Sequence, residues 1–302
     1  MFRLAHFSDP HLSPPPGAAR AFAAPLAEVF SKRTLSRLAW RRKQRQHDPA
    51  VLAALAADIK AYDPDHIALT GDLTNFSART EIEAACGWLP TLGAAACVTV
   101  SPGNHDALVM EGLAQRFAML APWFGDGAEP AFPHVRRRGE VAIVNLCTAF
   151  PTAPLLASGL LGGAQLAALA QILADLQREG LFRIVLLHHP PLAGVVSRRK
   201  ALQDSDALRT VLLGQGAELV LHGHGHETVF GAAPGPAGPI PVLGVASASM
   251  PLGQHHAPAR WNAIEIAKDR SVTVIARGLG PTGDFAELGR FVLPPISADN
   301  AA

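Results

Sequence analysis

Short apolar segments along this chain end directly in polar residues that can do chemistry. This is the pattern of buried strands that deliver polar side chains to the loops that follow them. The strands predicted in this way are Phe2–Ser8, Asp65–Leu69, Cys97–Val100, Arg183–Leu187 and Glu218–Leu221. Two further strands are predicted near Pro133–Arg137 and Val141–Cys147.

Amphipathic segments with helical spacing lie between these strands. Asp48 followed by Pro49 marks a helix start, because Asp caps helices well and Pro suits the first helical position. The predicted helices are Ala50–Tyr62, Arg79–Leu92, Leu108–Leu120, Leu166–Arg178 and Ala201–Leu213.

From residue 228 onward the pattern is mostly that of strands, at 228–231, 242–247, 261–267 and 272–276. An alternating β/α part followed by a β-rich part predicts an α/β fold of two packed sheets flanked by helices. We expect one domain over residues 1–293, with a basic helical insertion at about 13–48. Residues 294–302 are rich in Pro, Ala and Asp, so we expect a flexible tail.

Composition narrows the classes of partner and compartment. The chain has 302 residues, about half of them apolar, and a net charge of +1, which predicts no general affinity for nucleic acid and no sequence-specific nucleic-acid partner. Its three cysteines have no CxxC spacing and indicate buried thiols in a reducing compartment. No signal peptide pattern and no apolar stretch long enough to span a bilayer is visible. We therefore expect a cytoplasmic protein.

Seven candidate metal ligands follow these predicted strands in a fixed order. All are oxygen or nitrogen donors, and no cysteine lies among them, which favours a pair of divalent first-row metals over a thiolate-bound structural zinc. The candidates are Asp9, His11, Asp72, Asn104, His188, His224 and His226. Polar ligands in open α/β sheets collect at the carboxyl ends of strands, so we expect these residues to meet at one edge.

The residue types suggest distinct roles. Asp72, which follows a glycine at a strand end, is the natural carboxylate to bridge two cations. His105 lies beside Asn104, and a protonated histidine there could stabilise charge on a phosphoryl group or protonate the leaving oxygen. Asp106 either orients His105 or caps the following helix. A lone Asp-x-His or Gly-Asp is a weak signal, and it is the full ordered set that favours a metal site.

These residues resemble the calcineurin-like metallophosphoesterase superfamily. Its pattern is Asp-x-His, Gly-Asp, Gly-Asn-His-Asp/Glu, His and Gly-His-x-His, and residues 2–276 contain every element. The resemblance implies a four-layer α/β/β/α sandwich and His105 as the catalytic histidine. It implies a first metal held by Asp9, His11, Asp72 and His226. It implies a second metal held by Asp72, Asn104, His188 and His224.

Departures from known subfamilies narrow the expected reaction. Leu73–Phe76 do not match the protein Ser/Thr phosphatases, and Asn75 stands where purple acid phosphatases have Tyr. The pyrophosphatases of UDP-diacylglucosamine usually have Arg in place of His105. What remains resembles bacterial cyclic-nucleotide and glycerophosphodiester phosphodiesterases. We expect a phosphodiesterase in which a metal-bridging hydroxide attacks phosphorus, using two ions that are Mn, Fe or Zn. The alternatives are a pyrophosphatase acting on a nucleotide-linked lipid and a non-catalytic metal-binding scaffold.

Two histidine runs leave the choice of ligand open. The run from His222 to His226 contains two overlapping His-Gly-His frames, and we favour the later one because the superfamily's glycine precedes its first ligand. His188 is preferred to His189 because the usual ligand stands two residues before the proline.

The basic insertion is the main clue to the substrate. Residues 31–47 carry seven Lys or Arg side chains, no acid, and Trp40. They could contact an anionic membrane surface, although a solvated helix over the site or at a dimer contact is the favoured interpretation. A small-molecule phosphate ester is the expected partner. The oligomeric state is left open.

Overall fold

The computed structural model of this protein describes residues 1–16, 32–127 and 131–293, with the backbone alone for 41–43. Within these ranges the strands are β1 (Phe2–Phe7), β2 (His66–Leu69), β3 (Val98–Val100), β4 (His134–Arg138), β5 (Val141–Asn145), β6 (Phe182–Leu186), β7 (Leu219–His222), β8 (Val229–Ala233), β9 (Ile240–Gly244), β10 (Arg260–Ile266), β11 (Val272–Leu279) and β12 (Phe285–Leu293). The α-helices are α1 (Lys32–Lys43), α2 (Pro49–Tyr62), α3 (Arg79–Trp88), α4 (Leu113–Leu120), α5 (Gly163–Arg178) and α6 (Ser205–Gln215).

The strands form two six-stranded mixed sheets. The first has the order β12-β11-β10-β1-β2-β3, and the second has the order β4-β5-β6-β7-β9-β8. In the first sheet β1, β2 and β3 are parallel, and in the second β5, β6, β7 and β9 are parallel. The carboxyl ends of each parallel set therefore lie at one edge of its sheet, where the predicted ligands follow the strands.

Three apolar cores stack the fold into layers. Leu4 and Ile264 of the first sheet pack with Ile184 and Leu221 of the second in a core between the sheets. A second core joins α2 and α3 to the outer face of the first sheet, and a third joins α5 and α6 to that of the second. The predicted four-layer α/β/β/α sandwich is confirmed.

Helix α2 shows how local sequence sets an element. The Asp48 carboxylate accepts a hydrogen bond from the amide of Ala50 at 2.8 Å, and Pro49 occupies the first turn as predicted. Leu52, Leu55 and Ile59 then recur on one face and are buried against the first sheet.

Two predicted helices are shorter than expected, for identifiable reasons. The helix predicted over 79–92 ends at Trp88 and continues as a 3₁₀ turn, because Pro90 has no amide hydrogen and disfavours a helical residue before it. The helix predicted over 108–120 begins only at Leu113, after Gly112 adopts a left-handed φ of 62°.

Strand β12 was missed by the sequence interpretation, which predicted no strand beyond 276. It lies at the edge of its sheet, and among the strands that the structure describes it pairs with β11 alone. Residues 286–290 are exposed, so the strand lacks the apolar alternation that marks a half-buried strand. The single domain over 1–293 stays a prediction, and the predicted tail at 294–302 lies outside the described residues.

The basic insertion is described only in part. Its residues from 32 onward form α1 and a following 3₁₀ turn, as the helical prediction expected. None of the described helices combines the length and the apolarity that crossing a bilayer requires.

Candidate metal centre

The loops that carry the predicted ligands have unusual backbone geometry. Nine non-glycine residues of the described chain have a positive φ, and five of them are predicted ligands. Those five are Asp9, His11, Asp72, His224 and His226. Left-handed backbone is unfavourable for residues with a Cβ, so its concentration here indicates that function holds these loops in place.

One group of ligand atoms joins both sheets. Asp9 and His11 come from the loop after β1, and His226 comes from the loop after β7. Their donor atoms lie within 4.8 Å of one another. Asp9 Oδ1 is 3.2 Å from His226 Nε2, and His11 Nε2 is 3.4 Å from the same nitrogen.

A second group lies beside the first. The donor atoms of Asp72, His188 and His224 are also within 4.8 Å of one another, and all three residues are buried. His188 Nε2 is 3.2 Å from both Asn104 Oδ1 and His224 Nδ1. The structure therefore brings Asn104 to this group as well.

Asp72 lies between the two groups. Its Oδ2 atom is 3.7 Å from His11 Nε2 in the first group and 3.5 Å from His188 Nε2 in the second. Its other oxygen, Oδ1, accepts a hydrogen bond from the His105 amide at 2.8 Å. One carboxylate oxygen thus faces both candidate cation positions while the other fixes its orientation.

Backbone carbonyls orient three of the imidazoles. The hydrogen bonds run from His11 Nδ1 to Thr74 O (3.2 Å), from His188 Nδ1 to Thr70 O (2.6 Å) and from His224 Nε2 to Lys200 O (2.9 Å). A carbonyl can only accept, so each of these nitrogens donates, and the second nitrogen of each ring faces the cluster. This arrangement is typical of metal-binding histidines.

The electrostatics of the cluster favour a positive charge. Burial raises the pKa of Asp72, but the imidazoles of His188 and His105 outweigh it and hold that pKa well below its usual value. Burial likewise lowers the pKa of His188, yet the Asp72 carboxylate reverses this and raises it to about 9. The Asp72 carboxylate thus stabilises positive charge beside it.

Glycines allow the loops to approach this closely. A Cβ on Gly103 would collide with Oδ1 and the backbone nitrogen of Asp72. A Cβ on Gly223 would collide with Ser8 Oγ and Asp9 Oδ2. Gly103 and Gly223 are therefore required by space at the candidate metal centre.

His105 is oriented by a neighbouring loop. Its Nδ1 atom donates to the carbonyl of Asn75 at 2.8 Å, and the side chain lines the cavity over the ligand groups. Asp106 does not orient it, because the Asp106 carboxylate accepts hydrogen bonds from the amides of Gly103 and Thr74. Asp106 thus ties the loop after β3 to the loop after β2.

The two alternative histidines belong to neither ligand group, although the His189 ring is 4.3 Å from the ring of His224. His222 Nδ1 donates to the carbonyl of Gly223, and the His222 side chain belongs to neither group. His189 bonds to Thr148 Oγ1 at 2.7 Å and to the carbonyl of Ala157 at 3.1 Å. Both ring nitrogens of His189 are therefore engaged by other groups.

Two contacts at the site were not predicted from the sequence, namely that of His47 with His11 and that of the Asn75 carbonyl with His105. A cavity of about 290 Å³ lies over the ligand groups, and Trp40 and His47 line it. The His47 ring is 4.2 Å from the ring of His11, and its Nδ1 is 2.9 Å from Ser249 Oγ. A single histidine before a helix cap carries no motif, and the backbone carbonyl of Asn75 that orients His105 is invisible in a sequence.

The donor set fits divalent metals. Carboxylate, amide and imidazole donors converge without any thiolate, a donor set that suits first-row divalent ions. Asp9 Oδ1 is fully buried, and although His226 Nε2 lies 3.2 Å away, this oxygen accepts no well-oriented hydrogen bond from the described residues. A buried carboxylate oxygen without a well-oriented hydrogen bond is costly, and a cation would satisfy it.

Comparison with protein families identifies the chain. The family model described as calcineurin-like phosphoesterase matches residues 2–228. The chain belongs to this family. The phosphoesterase is therefore a metal-dependent hydrolase of phosphate esters, and its family implies divalent metal cofactors.

Similar proteins place the phosphoesterase among known relatives. It is 28% identical over 222 residues to a probable cyclic nucleotide phosphodiesterase of Synechococcus, covering 72% of this chain and 78% of that protein. The purple acid phosphatase PPD1 of yellow lupin is 13% identical with a TM-score of 0.59, covering 97% of this chain and 54% of that one. A dimetal phosphatase of Danio rerio is 12% identical with a TM-score of 0.51, covering 96% of this chain and 98% of that one. These two structures support the fold alone.

Proposed function

We propose that the phosphoesterase is a dinuclear-metal phosphodiesterase. The observation that carries this proposal is the position of Asp72 Oδ2, which lies 3.7 Å from His11 Nε2 and 3.5 Å from His188 Nε2. A carboxylate placed between two donor groups is what a pair of neighbouring cations requires.

The residues divide between the two ions as follows. The first ion would be held by Asp9, His11, Asp72 and His226. The second would be held by Asp72, Asn104, His188 and His224. When bound, two divalent ions would lower the pKa of a water at the site and neutralise charge on the phosphoryl oxygens. Mn, Fe and Zn all suit these donors.

His105 is proposed to act on the leaving group. Its Nδ1–H is fixed by the Asn75 carbonyl, so Nε2 is the nitrogen that can hold or deliver a proton in the cavity. Protonation of the departing ester oxygen makes that oxygen a better leaving group. Asn75 is in turn positioned by a hydrogen bond from its Nδ2 to the carbonyl of Leu12 at 2.7 Å.

A diester substrate is supported by the relative from Synechococcus, which is named a probable cyclic nucleotide phosphodiesterase. We propose a small-molecule phosphodiester as the substrate class. The cytoplasmic location remains a prediction from the sequence.

The test uses purified protein that is stripped of metal and reloaded with Mn²⁺. We expect hydrolysis of bis(p-nitrophenyl) phosphate that a chelator abolishes. Asp72→Ala should lower kcat by at least about 1000-fold, because both ions lose a ligand, and should reduce bound metal from two ions per chain to fewer than one. Asp269→Ala, at an exposed aspartate of the β10–β11 turn, is the matched control.

Retained activity in Asp72→Ala would refute the proposal. Fewer than one ion per chain in the reloaded native protein would favour the non-catalytic scaffold. Turnover of UDP-diacylglucosamine in preference to every phosphodiester would favour the lipid pyrophosphatase instead.

A further inference from the structure

A second groove adjoins the cavity over the metal centre. Its volume is about 290 Å³, and it extends from Asn104 and His105 along α1. The two cavities share several lining residues, namely Ser36, Ala39, Asn104, His105, Ala157 and Lys200. A group bound in the second groove would therefore be attached close to the position proposed for the phosphoryl group.

Three exposed leucines line this groove. Leu35 on α1 is 45% exposed, and Leu155 and Leu156 in the loop before α5 are 82% and 36% exposed. Single exposed apolar side chains are ordinary on protein surfaces, but several around one concave site indicate a binding function.

Leu155 has an unfavourable backbone conformation. Its φ is 68°, in the left-handed region that glycine or asparagine adopts more readily than leucine. Folding gains little from an exposed leucine in this conformation. The side chain is therefore best explained by contact with something outside the fold.

The turn that carries Leu155 and Leu156 is held on both sides. Lys32 Nζ donates to the carbonyl of Leu156 at 2.7 Å and to the hydroxyl of Thr152, which joins the turn to α1. The amide of Ala157 donates to the carbonyl of Arg199 at 2.9 Å, which joins it to the following loop. The apolar rim is thus positioned before any ligand arrives, which lowers the entropic cost of binding.

The same groove carries positive charge near its inner end. Arg199 and Lys200 line it together with the leucines. Cations beside an apolar wall suit a ligand that has an anionic head and an apolar chain.

We propose that this groove binds an alkyl or acyl chain, so that the preferred substrates are phosphodiesters with one such chain. This inference rests on the proposed phosphodiesterase function. Hydrolysis would break the bond from phosphorus to the leaving oxygen, form a bond from phosphorus to a water oxygen, and leave the chain on the phosphate product.

The test is a series of p-nitrophenyl alkyl phosphates from methyl to octyl, used as dissolved monomers with the Mn²⁺-loaded protein. We expect kcat/KM to rise with chain length, by about 100-fold from methyl to octyl, since burial of each methylene is favourable. Titration calorimetry measures the same preference without turnover. Octylphosphonate should bind with a lower Kd than methylphosphonate.

The variant Leu155→Asn separates chain binding from folding. Asparagine tolerates the left-handed backbone, so the variant should unfold at a temperature no lower than the native protein. The ratio of kcat/KM for the octyl ester to kcat/KM for the methyl ester should fall about tenfold, because apolar contact with the chain is lost. Leu213→Asn, at a half-exposed leucine of α6, is the matched control and should keep the native ratio.

Each result decides between the two proposals. No hydrolysis of even the methyl ester would overturn the proposed function. Hydrolysis of all esters at equal kcat/KM would overturn the proposal that the groove binds the chain, and would leave the proposed phosphodiesterase function standing. An unchanged octyl-to-methyl ratio of kcat/KM in Leu155→Asn would have the same meaning. A preference for long chains that arises only with micelles or anionic vesicles would also overturn the proposal that the groove binds the chain, since a membrane surface would then be the ligand.

Discussion

His66 should make the protein acid-sensitive. His66 is the first residue of β2, and its fully buried side chain places Nε2 2.8 Å from Oγ1 of Thr99 on β3. Burial, together with the positive charges of Arg136 and Arg138, lowers its pKa from 6.5 to about 3, although Asp126 opposes the shift. The unfolded chain therefore binds a proton at pH values where the native protein does not.

The size of the effect follows from this difference. His66 leaves the free energy of unfolding unchanged above pH 6.5, the pKa of the unfolded chain. Below pH 6.5 it lowers the free energy of unfolding progressively, down to about pH 3. At about pH 5 the loss is on the order of 2 kcal/mol, because each unit of pH below the unfolded pKa costs about 1.36 kcal/mol.

The assay is urea unfolding at about pH 7.5 and about pH 5, with chelator present so that metal release does not contribute. His66→Gln should lose about 2 kcal/mol less than the native protein between these two pH values. His255→Gln, at an exposed histidine, should behave as the native protein does. The other buried histidines contribute equally to the pH-dependent loss of unfolding free energy in all three proteins. An equal loss in His66→Gln and the native protein would show that the reasoning is wrong.

Three further predictions concern the site and the core. His105→Asn should lower kcat by about 10²- to 10⁴-fold while metal analysis finds the native content, and loss of metal would assign it to the ligands instead. Gly103→Ala should lower bound metal and activity, because its Cβ would overlap the shared carboxylate, whereas Gly87→Ala has open space and should leave both unchanged. Arg183→Met should destabilise the protein by about 2 kcal/mol in urea, because it removes the 2.9 Å ion pair of the buried Glu218 while Arg270 at 3.1 Å still pairs with that carboxylate, and an unchanged midpoint would contradict this.

The sequence predicted the elements whose signals are local. Asp48 and Pro49 located the start of α2 because a cap and a proline act within one turn. The buried parallel strands were predicted because nearly every residue in them is apolar, as in β6. Strand β12 was missed because its register depends on β11 rather than on an apolar pattern of its own.

The same distinction holds at the site. The seven ligand positions were predicted from ordered motifs, and the structure brings them together. The contact of His47 with His11 was not predicted, because it depends on where the basic insertion folds back. The exposed turn at Leu155 was also missed, since a positive φ at a leucine leaves no trace in residue type.

The two ligand groups have a consequence for the order in which the protein matures. Each group combines residues that precede position 73 with residues that follow position 187. A chain still being synthesised therefore cannot offer a complete set of donors until His226 has been made and both sheets have met. Uptake of divalent metal would be a late event in biogenesis, and a truncated or misassembled chain would be left without complete donor groups.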